Sequence, residues 1–158
     1  MGILSILLWM PAIGIFFLAL TPKHNTNQIR FIANVFAGIA SLISCWLVMI
    51  YNVHDGGLQF EQQFILNPKL GSHFALGIDG LSLPMVVLAC LLTTIALLAS
   101  FNISQGTKGY HISILLLEFG MLGVFLSQDW TLFYIFWEVT LAPLFILIGR
   151  WGGVRRHV

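Results

Sequence analysis

Apolar and polar residues in this chain are segregated into long blocks. Runs of about 20 apolar residues can cross a bilayer as single helices, and the polar residues between them mark the connections. The pattern therefore predicts an all-α fold, a polytopic transmembrane bundle occupying residues 1–158 as one segment. Five spans are predicted: Ile3–Leu20, Phe31–Tyr51, Leu81–Phe101, His111–Leu126 and Leu132–Ile148.

The first apolar run differs from a secretory signal peptide. No positive charge precedes it, and no small-x-small cleavage site follows it. We therefore expect it to be a retained span. The fourth run is the shortest, at about 16 residues, and its flanking Tyr110 and Trp130 are expected to act as interfacial anchors.

Residues 52–80 form the one extended polar segment between the predicted spans. Its Gly-Gly, Asn-Pro and Asp-Gly pairs are turn signals, and its aromatic and aliphatic residues favour a structured cap. At its end, Ser82 is predicted to be the N-cap of the third span, with Pro84 in the first helical turn. Asp79 is expected to have a structural role at this boundary.

Composition excludes several classes of protein. With 58% hydrophobic and 8% charged residues and a mean hydropathy of +0.93, the chain is far from soluble domains, in which about 25% of residues are charged. It is predicted to be an integral membrane protein whose environment is the lipid bilayer. The net charge is only +1 and the cations are scattered, so a nucleic acid partner is not expected.

Metal and cofactor motifs are not apparent in the sequence. The histidines lack metal-ligand spacing, and Cys45 and Cys90 both lie in apolar runs. No phosphate-binding glycine loop, dinucleotide fingerprint or nucleophile elbow occurs. We therefore expect neither a metal nor a cofactor in this chain, and no redox chemistry of its own.

Lysine and arginine are distributed unequally between the two sides of the predicted bundle. Lys69, in the segment between the second and third spans, is the one cation on its side. By the positive-inside rule the amino terminus faces the outside, luminal or periplasmic, and the carboxy terminus faces the cytoplasm or stroma. The cations of the second side are Lys23, Arg30, Lys108, Arg150, Arg155 and Arg156.

Small residues recur at four-residue spacing in the second span. This spacing lets neighbouring helices approach closely and predicts a packing face rather than a chemical site. The residues are Ala33, Ala37, Ala40, Ser41 and Ser44.

Glu138 is the main candidate functional residue. It lies inside an apolar run from Phe133 to Gly149 that carries no other formal charge. A carboxylate at this depth costs roughly 2.5 kcal/mol or more, so such groups normally face protein or water and serve ion or proton movement. Thr131 and Tyr134 precede it by seven and four residues, which places all three on one helical face.

Pro143 supports a buried polar site near this glutamate. A proline in a helix removes one N–H and crowds the carbonyl four residues earlier, here Val139, so a local kink is expected. Such freed backbone groups are tolerated in membranes only where protein or water satisfies them. No predicted span has a Lys or Arg in its interior, so a cation for Glu138 must come from elsewhere. The alternative is a neutral glutamic acid that serves only packing.

Glu118 is a second acid within a span, roughly 10 Å from the nearer end of the predicted fourth helix. It lies closer to the positively charged side, where water could reach it. Functional and structural roles are equally compatible with its position.

Two motifs resemble a known family. LSQDWTLFYIFWEVTLAPLFILIGRWGG is similar to the fifth-span signature of chain 4 of proton-pumping NAD(P)H-quinone oxidoreductases, an antiporter-like membrane subunit. GIDGLSLP resembles another stretch of the same family, and the order of spans agrees throughout. Members of this family are several-fold longer, so the resemblance implies an amino-terminal portion. The residues of these motifs most resemble those of the cyanobacterial and plastid branch.

The resemblance implies a specific role for Glu138. In that family the glutamate of the FWE segment transfers protons and pairs with a lysine on a later span, which this sequence lacks. The family pattern has no counterpart of Glu118. The implied protein is an enzyme only as a subunit of the oxidoreductase, with quinone and iron–sulfur clusters in other subunits, which are its expected partners. A cyanobacterial thylakoid or plasma membrane is the implied location.

Alternatives remain at this level. Plastoquinone as acceptor and ferredoxin as donor are implied, and so is a possible variant linked to carbon dioxide uptake. A purely structural or assembly subunit, or a truncated paralogue without proton transfer, is the alternative of another class. An independent transporter is disfavoured because no internal repeat or pair of broken helices is visible.

Overall fold

The computed structural model describes residues 2–55, 57–67, 72–103 and 105–152. Five long α-helices and a two-stranded sheet account for most of them, and all five helices are long and apolar enough to cross a membrane. The mostly helical fold predicted from the sequence is confirmed. The elements are α1 (Ile3–Leu20), α2 (Thr26–Ile50), β1 (Gln59–Asn67), β2 (Ser72–Ile78), α3 (Ser82–Ala99), α4 (Thr107–Leu126) and α5 (Trp130–Trp151).

Three helices begin earlier than hydropathy predicted: α2 at Thr26, α4 at Thr107 and α5 at Trp130. In α2 and α4 this is because polar residues take helical conformation outside the hydrocarbon and contribute nothing to an apolar window. Arg30 therefore lies within α2. The prediction that the fourth span is short was wrong, since α4 has 20 residues. At 1.5 Å per residue it is about 30 Å long, which matches the hydrocarbon core.

The polar segment between α2 and α3 contains strands that the all-α prediction missed. β1 and β2 pair as an antiparallel hairpin, with an irregular register between Gln59 and Gln62. β2 places Leu76 and Ile78 in the buried core, and its Ala75 carbonyl accepts a 2.9 Å hydrogen bond from the N–H of Gln128. The expected structured cap is present, and it closes one end of the helix bundle.

The start of α3 is capped by Asp79 rather than by Ser82. The Asp79 carboxylate accepts hydrogen bonds from the backbone N–H groups of Leu81 (3.1 Å) and Ser82 (2.6 Å). Ser82 is the first residue of the helix, so its predicted N-cap role was wrong, although its hydroxyl accepts a 2.9 Å bond from the Asp79 N–H. Pro84 lies in the first turn as predicted.

The small-residue face of α2 forms the centre of the bundle. Ala33, Ala37, Ala40 and Ser44 are fully buried, and Ser41 is nearly so. This face packs against α1, α3 and α4, which confirms the predicted packing role. Across the interface, Gly14 of α1 lies so close to Phe36 that a Cβ atom there would be 2.9 Å from the Phe36 Cβ.

The charged residues are segregated between the two ends of the bundle. Lys23, Lys108 and Arg150 line one cleft beside the start of α4, and the Nη2 of Arg30 donates to the Ile103 carbonyl nearby. We call this the cationic end. Asp79 and Asp129 lie at the opposite end, where the hairpin packs. Three cations of the predicted distribution, Lys69, Arg155 and Arg156, lie outside the described residues.

Replacing Asp79 tests the capping interaction. The Ser82 hydrogen bonds lower the pKa of Asp79 below its ordinary value of 3.8. Its stabilising contribution is therefore fully present above pH 3.8 and is lost as the pH falls through the lower folded value. We expect Asp79→Ala to cost about 1 kcal/mol locally. Amide exchange at Leu81 and Ser82, measured by mass spectrometry at neutral pH, should accelerate about fivefold.

Asp79→Asn is the matched control, because an asparagine side-chain oxygen still accepts these bonds. Equal acceleration in both variants would show that the carboxylate does not act as a cap.

Candidate functional site

Asp129 determines where the helix that carries Glu138 begins. Its side chain accepts hydrogen bonds from the N–H groups of Thr131 (2.8 Å) and Leu132 (3.2 Å), which are otherwise unpaired donors at a helix start. Asp129 was assigned no role from the sequence. Its capping role could have been recognised from an aspartate placed directly before an apolar run.

Glu138 lies well inside α5, eight residues after Trp130. At 1.5 Å per residue the distance from that end is about 12 Å, so the carboxyl group is at membrane depth when α5 spans the bilayer. The hydroxyl of Tyr134 lies beside the Glu138 carboxyl group, one helical turn away. Thr131 continues the same side of the helix toward the Trp130 end.

The face of α5 that carries this polar stripe is not covered by any described residue. Thr131, Tyr134 and Glu138 are all exposed, and Leu141 and Phe145 extend the exposed face. α5 is the most peripheral helix: 17% of its most apolar window is buried, against 50% for α4. The predicted stripe therefore exists, and no helix among the described residues covers it.

The opposite face of α5 packs tightly against α4. A Cβ atom added to Gly120 would lie 2.6 Å from the Thr140 Cγ2, and one added to Gly123 would overlap the Phe136 ring. Phe136 also makes an edge-to-face contact with Phe119, with ring centroids 5.3 Å apart. Two glycines thus let the helices approach closely and hold the Glu138 face outward.

Pro143 is on the packed side of α5. It is buried, and the helix continues through it from Trp130 to Trp151. The proline has no N–H for the carbonyl of Val139, the residue that follows Glu138. The hydroxyl of Thr140 donates a 2.6 Å bond to the Trp137 carbonyl in the same turn. The kink expected at Pro143 remains a prediction.

Glu118 occupies a different environment from Glu138. It is fully buried, and neither carboxyl oxygen has a hydrogen-bond partner among the described residues. α4 places it eight residues from Leu126 and eleven from Thr107. The prediction that it lies closer to the positively charged side was wrong, because α4 begins four residues before the predicted span. The structure does not bring the two glutamates together, since Glu138 points away from α4.

No group of three or more His, Cys, Asp or Glu side chains that could hold a metal ion occurs in the described part of the chain. His111 is the most buried histidine among the described residues. Its Nδ1 donates a 2.7 Å bond to the Thr107 carbonyl, and its Nε2 is buried without a partner among the described residues. Sequence reasoning gave His111 no role because single histidines near span ends carry no spacing signal.

Comparison with protein families identifies the same resemblance as the motifs. Residues 57–128 match the family described as NADH-ubiquinone oxidoreductase chain 4, amino terminus. The chain is 34% identical over 154 residues to NAD(P)H-quinone oxidoreductase chain 4 of the chloroplast of Chara vulgaris, covering 97% of this chain and 31% of that protein. It is 35% identical to a chain 4 of Synechococcus sp. (strain JA-2-3B'a(2-13)), covering 98% and 29%.

Solved structures agree with these relatives. A chain of respiratory complex I from Thermus thermophilus superimposes with a TM-score of 0.78 at 26% identity, covering 97% of this chain and 30% of its own length. A chain of an archaeal membrane-bound sulfane sulfur reductase shares the fold, with a TM-score of 0.68 at 21% identity. This protein thus spans about 30% of the length of its curated relatives. Its predicted resemblance to chain 4 of NAD(P)H-quinone oxidoreductases is confirmed.

Gly123→Ala tests the packing that orients Glu138. The added methyl group would overlap the Phe136 ring, and overpacking of this kind typically costs 1–3 kcal/mol. We expect a lower thermal unfolding temperature for the purified protein that contains this substitution. Gly149→Ala is the control, because a Cβ atom at Gly149 meets nothing within 4 Å. Unchanged unfolding of the Gly123 variant would mean that the α4–α5 contact is not tight in the assembled protein.

Proposed function

We propose that this chain is the amino-terminal part of a membrane-arm subunit of a proton-translocating NAD(P)H- or ferredoxin-quinone oxidoreductase. In this proposal Glu138 takes up and releases a proton while quinone reduction occurs elsewhere in the complex. The electron donor, plastoquinone as acceptor, iron–sulfur clusters in other subunits and a link to carbon dioxide uptake follow from the resemblance alone. Other membrane subunits of the complex are the proposed partners.

One observation carries the proposal: a carboxyl group at membrane depth lies on a helix face that the described bundle leaves open. Facing lipid, it would cost roughly 2.5 kcal/mol or more if ionised. The relatives are more than three times longer than this chain, so they contain further residues that can cover such a face. The open face of α5 and the greater length of the relatives thus both support a partner for Glu138 from outside this segment.

The proposed mechanism is electrostatic. A cation approaching Glu138 favours the ionised carboxylate, and withdrawal of that cation favours proton uptake. Tyr134 lies beside the carboxyl group and can hydrogen-bond to it in either state. Within the described helices, Lys and Arg occur only near the cationic end, at Arg30, Lys108 and Arg150. The cation is therefore expected from a residue outside this segment.

The charge segregation supports a proposed orientation of the chain. The cationic end, which includes Lys23, Lys108 and Arg150, is proposed to face the cytoplasm or stroma. The hairpin end with Asp79 and Asp129 then faces the lumen or periplasm of a thylakoid or plasma membrane. Glu138 is nearer this second side, about 12 Å from Trp130.

Glu138→Gln in the whole complex separates proton transfer from assembly. Glutamine keeps the size and hydrogen bonding of the side chain but cannot carry the charge, so quinone reduction and assembly should persist while the number of protons pumped per electron falls. Proton uptake into inverted vesicles, measured beside quinone reduction, provides this ratio. A normal ratio would falsify the role of Glu138 in proton transfer.

Glu138→Asp discriminates against a purely structural subunit. Aspartate keeps the charge, so proton pumping should be partly retained. Native gel electrophoresis reports assembly of the same preparations. Dissociation of the complex by both the Gln and the Asp variants would favour the packing role instead.

A further inference from the structure

Glu118 is a buried acid to which the proposed function assigns no role. It is fully enclosed, and neither carboxyl oxygen has a partner among the described residues. Its distance along α4 is about 12 Å from the Leu126 end and about 16 Å from the Thr107 end. An unpaired carboxylate in such a place is costly, so the group can change its charge only where a polar path brings or removes a proton.

Among the described residues, the titratable group beside Glu118 is a thiol and not a cation. The thiol of Cys90 on α3 lies beside the carboxyl group. Ser44 and Cys45 of α2 in turn interact with Cys90. α1 contains no titratable side chain, and α5 presents its apolar and hydroxyl residues to α4 while Glu138 and Tyr134 point away.

A line of polar side chains leads from this site along the groove between α2 and α3. The hydroxyl of Ser44 donates a 2.8 Å bond to the Ser41 carbonyl, and the Ser41 and Thr94 hydroxyls are 2.8 Å apart. Ser44 is fully buried, whereas Thr94 is half-buried at the edge of the groove. Polar atoms therefore extend from Glu118 to the groove, in the direction of the cationic end.

The next turn of α2 toward the cationic end carries Gly38, and a Cβ atom at Gly38 would meet nothing within 4 Å. Beyond it, Arg30, Asn34 and Leu98 line a cavity of about 360 Å³ between α2 and the end of α3. The Arg30 Nε and the Asn34 Oδ1 are buried there without partners among the described residues. Buried polar atoms of this kind are where proteins hold internal water.

We propose that Glu118 is a second proton-holding residue, which exchanges its proton with the cationic side along the α2–α3 groove. A proton enters at the Arg30–Asn34 cavity, passes Gly38 and the Ser41–Thr94 hydroxyl pair, and reaches the carboxylate beside Cys90. Each hydroxyl or water accepts one proton and passes on another, so the net change is conversion of a carboxylate to a carboxylic acid. This inference rests on the proposed function of the subunit but uses none of the Glu138 site.

Glu118→Gln and Glu118→Met in the whole complex test the role of the acid. Both side chains are close to glutamate in size, and methionine removes a buried polar group that has no partner among the described residues, so little loss of stability is expected. Both variants should assemble, reduce quinone and lose proton pumping relative to the parent, whereas Glu118→Asp should retain part of it. Normal pumping by the Met variant would show that Glu118 is only a packing residue, and would overturn the proposal.

Gly38→Leu tests the path independently of the acid. A Cβ atom at Gly38 meets nothing within 4 Å, so leucine adds apolar bulk beside Ser41 without a clash at its Cβ and leaves Glu118 unchanged. We expect loss of pumping comparable to that of Glu118→Gln. Val35→Leu is the matched control, because Val35 is exposed on the same helix one turn away. Full pumping by the Gly38 variant, alongside a defective Glu118→Gln, would exclude this groove as the path.

Parallel measurement of Glu138→Gln separates this inference from the proposed function. If Glu138→Gln lowers the proton-to-electron ratio while both Glu118 variants pump normally, the second site is wrong and the first remains. If the Glu118 variants and the Gly38 variant fail while Glu138→Gln pumps normally, the groove is supported and the role of Glu138 is wrong.

Discussion

The hydrocarbon core of a membrane supplies no hydrogen-bond partners, and the polar residues of this bundle are arranged under that constraint. Several hydroxyl groups within the helices bond to carbonyls of their own helix, as Ser44 does to Ser41 and Thr93 to Ala89. Side chains that cannot do so are confined to the helix ends, to the interior or to the open face of α5. Polar side chains that lie inside the bundle or on the open face of α5 without such a bond therefore identify candidate functional positions.

The two intramembrane glutamates meet this constraint in opposite ways. Glu138 has an exposed carboxyl group on a peripheral helix, so its environment is completed by parts of the protein beyond this segment. Glu118 is enclosed by the segment itself and lies beside the Cys90 thiol of α3. A site of the first kind depends on assembly for its electrostatics, whereas one of the second kind is determined by the local fold.

Close helix packing positions both glutamates. Gly120 and Gly123 let α4 approach α5, which turns Glu138 outward, and the small residues of α2 leave space for α4 to place Glu118 in the centre. At one end of the bundle, the hairpin and two aspartate caps determine where α3 and α5 begin. Both glutamates therefore owe their positions to small residues that bring the helices together.

The sequence by itself determined the number of spans, the small-residue face of α2, the charge asymmetry and the helical face shared by Thr131, Tyr134 and Glu138. Each of these follows from local periodicity or from the length of an apolar run, which one segment contains in full. The hairpin, the true starts of α2 and α4, the Asp79 cap and the enclosure of Glu118 were decided only by tertiary structure. They depend on which helix lies against which, and residues such as Cys90 and Glu118, 28 positions apart, meet only after α3 and α4 pack.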